Sequence, residues 1–141
     1  MSLLGDNSNN LPKQGGITIQ PGEFLLNPRI YFSQRVTITS AARDAVASDG
    51  STARTPSTQL RKGLVMGKIT ATGKYAQYNP QASDGTQTAV GLLLEPVSVV
   101  DRYGNAVDAL GETVFFGYVD GTQCYGLDAA AKTAMKNIIF A

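Results

Sequence analysis

The sequence predicts a β-dominated α+β protein: a small β-sheet or β-barrel-like body, one short C-terminal helix and an extended N-terminal arm. Three observations carry this. The apolar runs are strand-length and end at Gly, Pro or Asp-Gly; only Asp128 to Lys136 is convincingly helical; and residues 1–28 are too poor in apolar side chains to order themselves. With 141 residues, 43% of them hydrophobic, the chain can bury one core and is too short for two ordinary domains.

Residues 1–28 are rich in Gly, Asn, Gln and Pro, and their one alternating island is Ile17, Thr18, Ile19 and Gln20. Such a segment suits an arm that adds a strand to a neighbour's sheet, with a frayed tail as the bland alternative. Met1 to Asn10 does not read as a secretory signal, and the longest apolar stretch, Val90 to Leu94, is far below a membrane span, so we expect a soluble protein made inside the cell.

The body is expected over residues 29–141. Ile30, Tyr31 and Phe32 form an apolar patch, then Val36 and Ile38 alternate with polar residues as in a half-buried strand. Ser40 to Val46 reads as a short helix, and residues 48–58 as a solvated surface loop. Leu64 to Thr70 is a strand whose return partner, Tyr75 to Tyr78, follows the turn Ala71-Thr72-Gly73-Lys74. After the turn Ser83-Asp84-Gly85, Ala89 to Leu94 is continuously apolar and so central, and Val97 to Val100 begins another strand. Beyond the loop Asp101 to Asn105, Thr113 to Val119 alternates with Val114, Phe116 and Tyr118 on one face and Phe115 on the other. Asp128 is an N-cap for an Ala-rich helix ending in cations, and Asn137 to Phe140 is a terminal strand.

The chemistry is bounded by what is missing. With no His, the chain has no imidazole base, no Ser-His or Cys-His nucleophile and no Cys/His zinc set. Cys124 is the one cysteine, so an intrachain disulfide is impossible, and no basic pair in the sequence around it would activate the thiol. Asp101, Asp108 and Glu112 lie in one segment and are the candidates for acid-base work on a glycoside, against the commoner reading of solvated loop carboxylates. No glycine loop of the phosphate-cradling kind occurs. Arg29 near Tyr31 and Phe32, and Lys74 near Tyr75 and Tyr78, are types that stack on single strands, but a net charge of +1 argues against nucleic acid or an anionic membrane as partner. We expect no enzyme, no cofactor and no metal.

One stretch is more specific. Gly63-Leu-Val-Met-Gly-Lys-Ile-Thr-Ala-Thr-Gly-Lys-Tyr-Ala-Gln-Tyr-Asn-Pro80, followed by Ser83-Asp-Gly-Thr-Gln-Thr-Ala-Val-Gly-Leu-Leu-Leu94, resembles the head decoration proteins of tailed phages. The likeness continues more loosely through Val114-Phe-Phe-Gly-Tyr-Val119 to the last helix and strand. The resemblance implies a small β-rich module that sits as a homotrimer on the outer face of the expanded phage head. It would be made in the host cytoplasm, bind the major capsid protein and cement the shell against internal DNA pressure. It also implies that the arm, through Ile17, Thr18, Ile19 and Gln20, becomes ordered against capsid strands. Tyr31, Phe32, Phe115, Phe116 and Tyr118 are then candidates for trimer or capsid contact, because one thin sheet does not readily cover so many large apolar side chains. A surface β module that binds a carbohydrate or receptor is the rival reading.

Overall fold

The computed structural model describes residues 24–47, 51 and 54–141. The described chain runs β1 (Phe32–Ile38), β2 (Gln59–Leu60), β3 (Val65–Lys68), β4 (Tyr75–Gln77), β5 (Ala89–Leu93), β6 (Val97–Ser98), β7 (Ala109–Val119), a 3-10 turn at Gly121–Gln123, α1 (Ala129–Ala134) and β8 (Ile138–Phe140). Five strands close on themselves in the order β1-β4-β3-β5-β7, with β7 returning to β1. Closure removes the edges that an open sheet of this size would expose.

The expected hairpin is present. β3 pairs antiparallel with β4, Met66 facing Gln77 and Lys68 facing Tyr75, across the turn through Gly73. β4 then meets β1 in parallel at Tyr75 and Ile38, a joint that local pattern could not reveal. β7 is the longest strand because it serves three partners: β1 along residues 109–116, β5 at Thr113 and Val114, and β8 in parallel at Gly117–Val119.

Each barrel strand sends side chains into one interior. Val36 and Ile38 come from β1, Met66 from β3, Ala76 from β4 and Leu93 from β5, with Ala109 and Phe115 of β7 packed against them. The interior is narrow enough that β7 crosses it with a glycine. A Cβ on Gly111 would stand 2.6 Å from Ile38 Cδ1 and 3.0 Å from Val97 Cγ2. A second apolar layer lies outside the barrel, where Val65, Leu92 and Val114 are covered by Ala131 of α1 and Met135 at its C-cap, by Ile138 of β8, and by Phe24 and Leu25. α1 starts where expected: Asp128 Oδ1 accepts the Ala131 N–H at 2.7 Å, and the same carboxylate accepts the Tyr78 hydroxyl at 3.1 Å.

Two expectations need correction. The body begins before Arg29, because Phe24, Leu25 and Leu26 are buried and bonded to the end of β7. The Leu26 N–H donates to the Tyr118 carbonyl at 2.9 Å, and the Asp120 N–H to that of Phe24 at 2.7 Å. Three apolar residues in a Gly- and Pro-rich stretch suffice when a long strand supplies their backbone partners. Ser40 to Val46 is not a helix. Ala42 and Val46 are drawn into the barrel core, and Asp44 pairs its backbone with Ser57 instead.

That irregular segment is locked by charge. The Asp44 carboxylate is fully buried and accepts Arg61 Nε at 2.7 Å and Arg61 Nη2 at 3.0 Å, while Arg54 Nη1 lies 3.1 Å away. Arg61 also donates to the Val46 carbonyl and lies 3.6 Å over the Tyr125 ring. Burial alone would raise the Asp44 pKa, but the hydrogen bonds from Arg61 and the two positive charges outweigh it and hold the carboxyl below its ordinary value.

Candidate interaction surface

The aromatic end of β7 is shaped by a bulge. Phe32 faces Phe116 while the next residue, Ser33, faces Val114, so Phe115 is an extra residue with no partner on β1. The bulge breaks the alternation expected for this strand. Val114 joins the outer layer, Phe115 turns to the barrel core with its ring edge-on to Tyr75 at 6.2 Å, and Phe116 and Tyr118 follow on the uncovered side. Val114 therefore does not share a face with Phe116 and Tyr118.

The result is a short apolar stripe running across three strands. Phe32 and Phe116 are direct cross-strand partners, Tyr118 lies two residues further along β7, and Ile139 is its neighbour on β8. Their exposures are 56%, 48%, 37% and 64%. Phe32 shares its side of β1 with Val36 and Ile38, so the stripe continues the barrel's inner face past the end of the filled core. Of the side chains singled out from sequence, Phe32, Phe116 and Tyr118 come together here and Phe115 does not join them. Tyr31 sits on the opposite side, its Cβ over Gly117, where a side chain on residue 117 would be 3.3 Å from it. Ile139 was legible only as one of several apolar residues in the last strand, since its outward direction depends on pairing with β7. The island Ile17, Thr18, Ile19 and Gln20 lies outside the described residues.

The carboxylates proposed for acid-base work act as braces. Asp101 Oδ1 accepts the Tyr103 and Asn105 N–H groups, both at 2.9 Å, and shapes its loop. Asp108 binds Lys74 at 2.6 Å and the Ser40 N–H at 2.8 Å, and Glu112 accepts the Ser33 hydroxyl beside Arg35. Lys74 and the Ser40 N–H hold Asp108 below the ordinary carboxylate range, and the Asn105 N–H does the same for Asp101, which is the wrong direction for a general acid. The Cys124 thiol is pushed up to about 12, chiefly by burial. Among the described residues no group of His, Cys, Asp or Glu is placed to hold a metal ion, and no helix is long and apolar enough to cross a membrane.

The family model described as Bacteriophage lambda head decoration protein D matches residues 21–112. The chain belongs to that family. No curated protein matches it significantly. The head decoration assignment places the chain among structural proteins of the phage capsid, a class defined by what it attaches to and not by a reaction. The matched residues run from just before Phe24 to Glu112, so they include Phe32 and the barrel strands up to the first part of β7. The bulge, Phe116, Tyr118, α1 and Ile139 follow the matched span, and the Ile17 to Gln20 island precedes it.

Proposed function

We propose that this head decoration protein cements the outer surface of the expanded phage head as a homotrimer. In this reading the body rests on the major capsid protein, residues 1–22 act as a tether to capsid strands, and the stripe side chains with Tyr31 supply further self or capsid contact. The observation that carries the proposal is where the chain enters the body. Leu26 and Leu25 lie along β7 at Tyr118 and Val119, and Phe24 meets Asp120 just past its end, so the described chain begins near the same pole as the uncovered stripe. Tether and body then act on one surface of the shell.

The energetics favour several weak attachments acting together. In an added strand Ile17 and Ile19 point to the same side, and burying both contributes about 3–6 kcal/mol before the cost of ordering the arm, which offsets much of it for a single arm. Three arms on one trimer raise the effective concentration of the second and third contacts, so release requires several to break at once. A shell pressed outward by packed DNA is held by that coupling. Deleting residues 1–22 should leave a folded protein that binds purified expanded heads poorly and no longer protects them from heat. Undiminished binding and protection by the truncated protein would refute the tether.

A further inference from the structure

We propose that residues 40–46 form an acid-released strap: a segment fastened over one pole of the barrel that lets go as a unit in acid while the barrel strands stay paired. The strap follows Ile38, so its pole is the opposite one from Phe32 and the apolar stripe. Ala42 and Val46 are its buried apolar side chains, a methyl and an isopropyl group laid on the core that holds Leu60, Leu64 and Val99. That is little apolar surface for a segment of this length, which puts it at the low end of local stability.

What fastens the strap is polar and comes mainly from side chains. The Ser40 N–H donates to Asp108 Oδ1 at 2.8 Å, and Asp108 in turn holds Lys74 at 2.6 Å. The Arg43 N–H donates to Gln77 Oε1 of β4 at 2.9 Å. Further on, the buried Asp44 carboxylate joins Arg61 to Arg54, with Arg61 stacked on Tyr125, and the Asp44 backbone pairs with Ser57. The Arg43 guanidinium stays within the strap, donating to the Ser40 and Ala42 carbonyls at 2.8 and 2.7 Å, so the segment keeps its shape when it moves.

Two of these fasteners are carboxylates, and protonation reverses the force at one of them. Ionised, Asp44 attracts both guanidinium groups. Protonated, it leaves Arg54 and Arg61 facing each other across a neutral group in a partly buried site, where their repulsion is weakly screened. Arg54 lies on the excursion between strap and β2, and Arg61 just after β2, so that repulsion acts to separate the strap from the body. Asp108 loses its attraction for Lys74 in the same range. Arg61 and Arg54 hold Asp44 below its ordinary value against burial, and Lys74 and the Ser40 N–H hold Asp108 below its own. Both contributions are therefore complete above 3.8 and are lost as pH falls through the lower folded values.

Hydrogen exchange of the full chain, followed by NMR from neutral pH to about pH 2.5 and expressed as protection relative to an unstructured peptide, separates local release from global unfolding. We expect protection of the Ser40, Asp44 and Ser57 amides to fall at least about tenfold in acid, while the sheet amides of Val65, Leu93 and Leu94 change less than about twofold. Asp44→Asn should release positions 44 and 57 at neutral pH and abolish their acid step. Arg54→Gln keeps Asp44 and Arg61 but removes the repulsion, so its acid step should shrink at least about threefold. If Asp44→Asn does not fold, the parent and Arg54→Gln still decide. Strap and sheet amides that lose protection together, a strap that stays protected in acid, or an undiminished acid step in Arg54→Gln would overturn the proposal.

Discussion

Replacing Asp44 by Asn tests whether the buried charge cluster holds the irregular segment in place. The substitution keeps the shape but removes the negative charge that both Arg61 and Arg54 face, and it sets an amide NH2 against guanidinium donors. Breaking a buried ion pair from one side costs about 3–5 kcal/mol because the remaining charge is stranded. The two arginine side chains are 28% and 31% exposed, so they regain part of their hydration, and Arg61 keeps Tyr125 and the Val46 carbonyl. We therefore expect a loss of about 2–4 kcal/mol, or a Tm roughly 8–15 °C lower for a domain of this size. The pH dependence carries a sign that mere loss of packing would not. Asp44 has a depressed pKa in the folded state, so its contribution is complete above the ordinary value of 3.8 and fades as pH falls through the lower folded value. Thermal unfolding from neutral pH into acid should show a constant gap between parent and variant, then convergence below the ordinary carboxylate range. A variant melting within about 2 °C of the parent at neutral pH, or a gap that acid leaves untouched, would refute the clamp.

Two further substitutions probe the barrel itself. Gly111→Ala places a methyl 2.6 Å from Ile38 Cδ1 in a filled interior and should cost about 1–3 kcal/mol by chemical denaturation; a neutral result would mean the barrel is looser than its contacts indicate. Thr113 is fully buried and its hydroxyl finds no partner among the described residues, so Thr113→Val should stabilise by about 1 kcal/mol, and destabilisation would reveal a hydrogen bond that the hydroxyl makes.

What could be read from sequence depended on whether the deciding interaction was local. Asp128 was legible as a cap because a cap reaches only three residues along its own chain, and the Leu64 to Tyr78 hairpin because its turn and both strands are contiguous. Ser40 to Val46 misled because Asp44 answers to Arg61, and Ala42 and Val46 to a core assembled by five strands. Phe24 to Leu26 were hidden by their Gly- and Pro-rich neighbours, since the end of β7 and the outer apolar layer, both distant in sequence, order them. The stripe was half visible: the aromatics were conspicuous, but one extra residue at Phe115 reassigned the faces, and alternation alone cannot locate a bulge.

The pairing of β1 with β7 has a consequence for how the protein is made. Ile38 must find Ala109, and Phe32 must find Phe116, before the barrel can close. During synthesis β1, β4, β3 and β5 leave the ribosome before β7, and the outer edges of that sheet, at β1 and β5, stay open until β7 follows. Such long-range closure is slow, on the order of milliseconds to seconds for small β barrels, and the wait is the interval in which unpaired strands of separate chains find each other. The yield of native protein should therefore depend on crowding by its own unfinished copies, and slower or cooler expression should favour folding over aggregation.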